Sequence, residues 1–317
     1  METAREPDLV ICDPHHHLWN RGDSRYLLEE LRADVTSGHK VEATVFVECG
    51  FGYRTEGPAA FRPVGETEFV VAADPSGLVA GIVGFADLCD QQIDDVLAAH
   101  VEAGGGRFRG VRYKIARDPS PLLPASTNRL DGPPLAEDRA FLTGMAALAQ
   151  AGLSFDTWAY HTQLHELAEV ARARPDVTII IDHLGGPVRL GPYADRRDEV
   201  IETWKKAVTE LARHDNIVMK LGGVGMPVFG ETWHHFPERT TSEQIAAARG
   251  DEIRWCIEAL GPDRCMFESN FPVDKHSCSY VVLWNAFKLI AADLSASERA
   301  ALFHDTAERI YRMTLPA

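Results

Sequence analysis

The six cysteines, at 12, 49, 89, 256, 265 and 278, include no Cys-x-x-Cys pair and no even spacing. Scattered thiols in a chain of 317 residues argue against a disulfide framework. Those at 12, 49 and 265 lie in or beside apolar runs, where free cysteine acts as a small hydrophobe. No apolar stretch approaches the ~18–20 residues needed to span a bilayer. The opening residues, Met1-Glu2-Thr3-Ala4-Arg5-Glu6-Pro7-Asp8, are charged and lack the apolar centre of a secretory leader. Together these absences predict a cytoplasmic protein. Positive charge is also scarce, with 32 Lys and Arg against 47 Asp and Glu and a net charge of −15. That balance argues against nucleic acid or an anionic membrane as partner. An anionic small molecule stays compatible, because a few local Arg or Lys residues can line a pocket. No low-complexity segment or linker divides the chain, so residues 1–317 are expected to form one domain. Self-association is left open.

What the chain does contain is an alternation of short β-rich runs and longer helical periods. Eight strand candidates fall at 9–15, 43–48, 79–86, 110–114, 153–157, 177–182, 217–221 and 264–269. Most are near-continuous apolar runs ending in a polar residue, as expected of parallel strands covered on both faces. Amphipathic helices are predicted at 93–103, 139–151, 163–174, 196–213 and 252–260, then two more at 280–292 and 297–313. Ser295-Ala296-Ser297-Glu298 supplies a capping box for the last. Eight such units fit a (β/α)8 TIM-type barrel with extra C-terminal helices. A doubly wound open sheet is the alternative, but no G-x-G-x-x-G follows the first strand. Long loops are expected at 118–134 and 227–241, where a barrel builds its site.

Polar groups collect at the predicted strand ends. The first strand runs into Asp13-Pro14-His15-His16-His17, where strict alternation would put Asp13, His15 and His17 on one face and His16 on the other. A histidine-rich turn with satisfied hydrogen bonds is the plainer explanation. Strand two ends in Glu48, strand four in Arg112, Tyr113 and Lys114, and strand six in Asp182-His183. Strand five carries Asp156, with Tyr160 and His161 just beyond. Strand seven carries Lys220, and strand eight ends in Glu268-Ser269-Asn270. His183 is the natural third imidazole beside His15 and His17, and three histidines with an open position form an established catalytic-zinc arrangement. Such a metal lowers the pKa of bound water or polarises a carbonyl. Asn270 cannot be a general base, so proton transfer falls to Glu268, Asp274 or Glu48. Arg112, Lys114 and Lys220 either neutralise an anionic substrate or stitch strand ends through salt bridges. Tyr113, Tyr160, His161 and His234, the last in the 227–241 loop, are expected as substrate walls.

Several motifs together resemble one family. They are Asp13-Pro14-His15-His16-His17-Leu18-Trp19, Phe46-Val47-Glu48-Cys49-Gly50, Ile181-Asp182-His183-Leu184-Gly185-Gly186-Pro187, Lys220-Leu221-Gly222-Gly223 and Met266-Phe267-Glu268-Ser269-Asn270-Phe271-Pro272-Val273-Asp274-Lys275. They are similar to the amidohydrolase-related group, in particular its lactonase-like branch of pyrone-dicarboxylate lactonase, fuconolactonase and sulfomuconolactonase. The closing Phe303-His304-Asp305-Thr306-Ala307-Glu308-Arg309-Ile310-Tyr311 resembles that family's last helix, so the likeness spans about residues 9 to 313. It implies a distorted (β/α)8 barrel in which water attacks a lactone carbonyl, with His15, His17 and His183 in the polar cluster. Two positions depart from the pattern. The family usually has Asp, as base or metal ligand, where this chain has Asn270, and it tends to have His after the strand-four Arg, where this chain has Tyr113-Lys114. Members of the branch differ in whether they need a metal.

The expected function is therefore hydrolysis of a small lactone or similar cyclic ester. The carbonyl would be polarised by a divalent metal, zinc foremost, or directly by His15, His17 and His183, with no organic cofactor. Asn270 would orient water, Glu268 or Asp274 would accept its proton, and Arg112 and Lys114 would anchor an anionic substituent. Three alternatives stand beside it: metal-dependent non-oxidative decarboxylation of a small aromatic or unsaturated acid, redox chemistry at an iron or manganese site, and a non-catalytic partner subunit. One barrel hosts many chemistries, so the fold does not choose among them.

Overall fold

The structure is a computed structural model that describes residues 2–129 and 132–313; residues 130–131 of the expected 118–134 loop lie outside it. Eight parallel strands form one sheet in sequential order: β1 (Val10–His16), β2 (Lys40–Val47), β3 (Val79–Gly84), β4 (Phe108–Arg112), β5 (Ser154–Thr157), β6 (Ile179–Ile181), β7 (Ile217–Leu221) and β8 (Cys265–Phe267). The sheet curls until β1 and the residues after β8 meet through a parallel bridge between His16 and Phe271. The His17 amide donates to the Phe271 carbonyl at 2.7 Å and the Asn270 amide to the His15 carbonyl at 2.9 Å. The result is a nearly closed, distorted TIM-type barrel.

Helices α1 (Leu28–Val35), α2 (Val64–Ala73), α3 (Ile93–Ala103), α4 (Arg139–Ala151), α5 (Leu164–Ala173), α6 (Arg197–Leu211), α7 (Ser242–Leu260) and α8 (Tyr280–Ile290) follow the strands in turn. The first two were not predicted: Leu28–Val35 is dominated by charge, and Val64–Ala73 shows no one-sided apolar stripe. Helix α7 begins ten residues before the expected 252, because Thr241 and Gln244 form a capping box ahead of it. The segment expected as one helix over 297–313 is instead α9 (Ala296–Ala300), a π turn (Ala301–Asp305) and α10 (Thr306–Ile310). Ser295 caps α9 as expected, its oxygen accepting from the Glu298 amide. No helix among the described residues is long and apolar enough to cross a membrane.

The two-residue period of each strand sorts side chains into two cores. Outward residues such as Ile179, Ile181, Met219, Leu221, Cys265 and Phe267 pack beneath the helices. Inward residues Cys12, Val45, Val83, Ile180, Val218 and Met266 fill the barrel with Ala307, Tyr311 and Met313 from the C-terminal segment. The next inward positions toward the strand C-termini are Asp182 after Ile180, Lys220 after Val218 and Glu268 after Met266. A charged tier therefore sits directly on an apolar one.

Candidate active site

Asp182, Lys220 and Glu268 are fully buried, and charged groups around them pair with one another. The Lys220 ammonium lies 2.9 Å from Asp156 Oδ2 and 3.2 Å from Asp182 Oδ1. The Tyr311 hydroxyl donates to Asp156 Oδ2 at 2.5 Å from below. Arg112 places Nη1 3.4 Å from Asp182 Oδ2 and Nε 3.0 Å from Glu48 Oε1. Lys114 reaches the same Glu48 oxygen at 2.9 Å. Burial alone would lift the Glu48 and Asp182 carboxyls, but Arg112 with Lys114 lowers the first and Lys220, His183 and Arg112 the second. For Asp156 burial prevails and the carboxyl is raised. Removing one partner from such a buried pair typically costs about 3–5 kcal/mol.

Glu268 joins the tier to the imidazoles. Its Oε2 lies 2.8 Å from His15 Nδ1 and its Oε1 2.6 Å from His183 Nδ1, with the His183 amide donating at 3.1 Å. Burial opposes the charge on Glu268, yet His183 and His15 hold the carboxyl down to about 2. An ionised carboxylate only accepts hydrogen bonds, so it fixes the His183 ring with the proton on Nδ1 and leaves its Nε2 bare, while His15 Nδ1 lies between Oε2 and the Lys220 ammonium. His15 Nε2 faces Arg112 Nη1 at 3.3 Å. Burial and Lys220 keep His15 well below the ordinary imidazole range, and burial with Arg112 does the same to His17.

The backbone is bent to make these contacts. His183 and Leu184 both take left-handed conformations, with φ of 54° and 59°, as does Asn270 at 55°. Each costs on the order of 1 kcal/mol or more in a non-glycine residue, and such strain concentrates at functional sites. Close approach also demands glycine nearby. A Cβ on Gly223 would stand 2.6 Å from the His183 ring, and one on Gly222 2.3 Å from Glu268 Cγ. Trp158, which the sequence did not single out, packs edge-on against His183 with centroids 5.0 Å apart.

Asn270 turns its amide to Asp274: Nδ2 donates to Oδ1 at 2.9 Å, while the Gly225 amide donates to Oδ2 at 2.8 Å. Burial lifts the Asp274 carboxyl to about 7, against these hydrogen bonds and the charge of His183. The two candidate bases are thus separated by environment, Glu268 held as a weak base and Asp274 poised near neutrality.

The structure gathers His15, His17 and His183, with ring centroids 4.9 Å apart for the first pair and 4.7 Å for His15 and His183. The residues whose ligand atoms lie within 4.8 Å of one another are, however, His15, Asp182 and His183. His17 points Nδ1 at the Val47 carbonyl, 2.7 Å away, and stacks on Trp19. That bond leaves the His17 Nε2 free, so Asp182 is a ligand candidate added to the expected histidines. Asp182 Oδ1 and Glu268 Oε2 are buried oxygens without a hydrogen-bond donor of good geometry, and this donor set of imidazole and carboxylate suits a divalent ion.

Other expected positions lie elsewhere. A shift in the β1–β2 register between Asp13 and His16 breaks the strict alternation. Asp13 accepts instead from the Ser269 amide at 2.9 Å and the Tyr280 hydroxyl at 3.0 Å, and His16 bonds Thr44 at 2.9 Å. Lys220 is spent on internal pairs, as one of its two sequence readings held. Tyr113 follows the inward Arg112, so it faces outward and packs near Phe85 and Phe141 in the outer core. That corrects its placement as a substrate wall. Tyr160 donates to the Pro124 carbonyl at 2.5 Å, and His161 Nδ1 lies 3.3 Å from the Gly186 carbonyl, so both latch loops. His234 packs on His235 at 4.2 Å and makes no hydrogen bond to the cluster among the described residues. Asp156 and Asp182 were noted at the strand ends, and Tyr311 in the last-helix motif, without a role in the site; period-two counting inward from Ile180 would have given Asp182 its place.

A polar cluster of imidazoles and carboxylates at the C-terminal mouth of a distorted barrel is what the amidohydrolase resemblance implied. The amidohydrolase family model matches residues 12–313, and the chain belongs to that family. It is 35% identical to the uncharacterised protein y4mH of Sinorhizobium fredii, over 96% of this chain and 99% of that one. It is also 28% identical to the L-fucono-1,5-lactonase of Burkholderia multivorans, over 80% of this chain and 78% of the relative. Among solved structures, an amidohydrolase from Burkholderia multivorans with bound zinc superposes with a TM-score of 0.76 at 22% identity, over 96% of this chain and all of that one. That likeness concerns the fold.

Proposed function

We propose that the protein is a hydrolase that opens a small lactone or related cyclic ester. The observation that carries this reading is the pairing of Glu268 with both His15 and His183, beside an Asn270–Asp274 pair of different basicity. The similarity to L-fucono-1,5-lactonase supports the same reaction class. Water attack on the ring carbonyl needs a base near neutrality, and Asp274 fits that need better than Glu268. Asp274 takes the proton of the attacking water, with Asn270 holding its carboxyl in place. After the ring C–O bond breaks, the same proton goes to the departing ring oxygen, giving the open hydroxy acid. Were a divalent ion such as zinc bound, His15, Asp182 and His183 would hold it and it would act as a Lewis acid on the carbonyl oxygen.

Lys114, with 22% of its side chain exposed, is the accessible cation of the tier, so an anionic substituent would be met there. The test is a panel of sugar and carboxylated aromatic lactones followed by proton release. Ring opening with kcat/KM above 10⁴ M⁻¹s⁻¹, the lower part of the usual enzymatic range of roughly 10⁴–10⁸, supports the reading. No turnover on the panel, with carbon dioxide released from an aromatic acid, would replace it with a decarboxylase.

A further inference from the structure

The donors that suit a divalent ion already face side-chain cations, and this holds for every atom that His15 and Asp182 could offer. Lys220 Nζ lies 3.3 Å from His15 Nδ1 and 3.2 Å from Asp182 Oδ1. Arg112 Nη1 lies 3.3 Å from His15 Nε2 and 3.4 Å from Asp182 Oδ2. A ligand bond of about 2.1 Å to any of these atoms would put the ion within about 5.5 Å of an ammonium or guanidinium. Lys220, Asp182 and His15 are fully buried, so solvent ions screen little of that repulsion.

Charge balance points the same way. The tier holds four carboxylates (Glu48, Asp156, Asp182 and Glu268) against three side-chain cations (Arg112, Lys114 and Lys220), leaving one formal negative charge. A doubly charged ion would invert that balance. Without Lys220, the same ion would bring the tier to neutrality.

We infer that Lys220 is the resident cation of the His15–Asp182–His183 cluster, competing with divalent metal for the same acceptors. The native chain then binds metal weakly, and loss of this one ammonium creates a tight site. The readout is metal occupancy, so its outcome is separate from that of the ester-cleavage reading.

The experiment uses Co²⁺ as probe in a His304→Ala background, which removes the second group of potential ligands, His304, Asp305 and Glu308. Isothermal titration, visible d–d absorption and the melting temperature are followed with and without Lys220→Met. Expected is one Co²⁺ bound by Lys220→Met on the order of a hundredfold more tightly than by its parent, a gap of two tenfold steps, with an intense d–d band and a raised melting temperature. Lys220→Gln serves as a second variant, and recovery of folding by either variant only when Co²⁺ is added also supports the inference. Equal affinity in parent and variant overturns it, as does a folded Lys220→Met chain that binds no Co²⁺. Should neither variant fold with or without Co²⁺, the parent decides: micromolar binding abolished by His183→Ala overturns the inference, and no binding at millimolar Co²⁺ upholds it.

Discussion

At the scale of single residues, the site depends on carboxylates given opposite characters by their neighbours. Glu268 is pinned as an anion and orients two rings; Asp274 is buried toward neutrality and can exchange a proton. Glu268→Gln keeps the shape but offers His15 and His183 an amide that can serve only one of them as acceptor. Turnover should fall on the order of a hundredfold, as for other partners that orient catalytic imidazoles, while a cooperative melt survives; unchanged kcat would remove Glu268 from the mechanism. Asp274→Asn bears on pH. The native enzyme should gain activity as pH rises through about 7, where Asp274 ionises. The variant should lose that limb along with most of its rate, and a kcat/KM profile from pH 5 to 9 checks both. A limb kept in the variant would assign the titration to another group.

At the scale of elements, alternation explains both what was legible and what was not. Continuous apolar runs such as Thr178-Ile179-Ile180-Ile181 announced buried parallel strands, and the polar residues that end them marked the mouth of the barrel. The side each residue faces needed the strand's phase, which the apolar core sets: Val218 inward makes Lys220 inward, and Val111 outward makes Tyr113 outward. The register shift after Asp13 and the left-handed turn at His183 follow from tertiary contacts, so no local pattern foretold them. Nor could spacing show that Tyr311, from the segment after α10, reaches Asp156 from beneath. Tyr311→Phe removes one hydrogen bond to a buried carboxylate, worth about 1.5–3 kcal/mol. The melting temperature should drop accordingly while kcat stays within about twofold. An unaltered melt would mean that Lys220 and the Ser154 hydroxyl suffice for Asp156.

At the scale of the molecule, buried titratable groups of two kinds shape the stability profile. Burial drops His16, His39 and His100 to about 4 and depresses His15 and His17 well below the usual range. Burial also raises Asp13 to about 6 and Glu66 and Asp274 to about 7. Between pH 5 and 6 the unfolded chain binds protons on the histidines that the folded chain refuses, and the folded chain keeps protons on fewer carboxyls. Unfolding therefore takes up protons and stability should climb with pH across that interval. Near pH 7 the protons left on the unfolded histidines roughly match those that folded Glu66 and Asp274 still hold, so stability should stop climbing and level. Melting temperatures from pH 4.5 to 8 test this, and a steady decline from pH 5 would contradict it. The seam between β1 and the residues after β8 adds a kinetic consequence. Bonds joining His15 and His17 to Asn270 and Phe271 link segments more than 250 residues apart in sequence, and the paired imidazoles and Glu268 straddle that joint. Such distant partners meet late when a chain folds, so helices and most strands can be native while the protein is still chemically silent. Recovered turnover during refolding would then serve as a clock for the final stitch of the barrel.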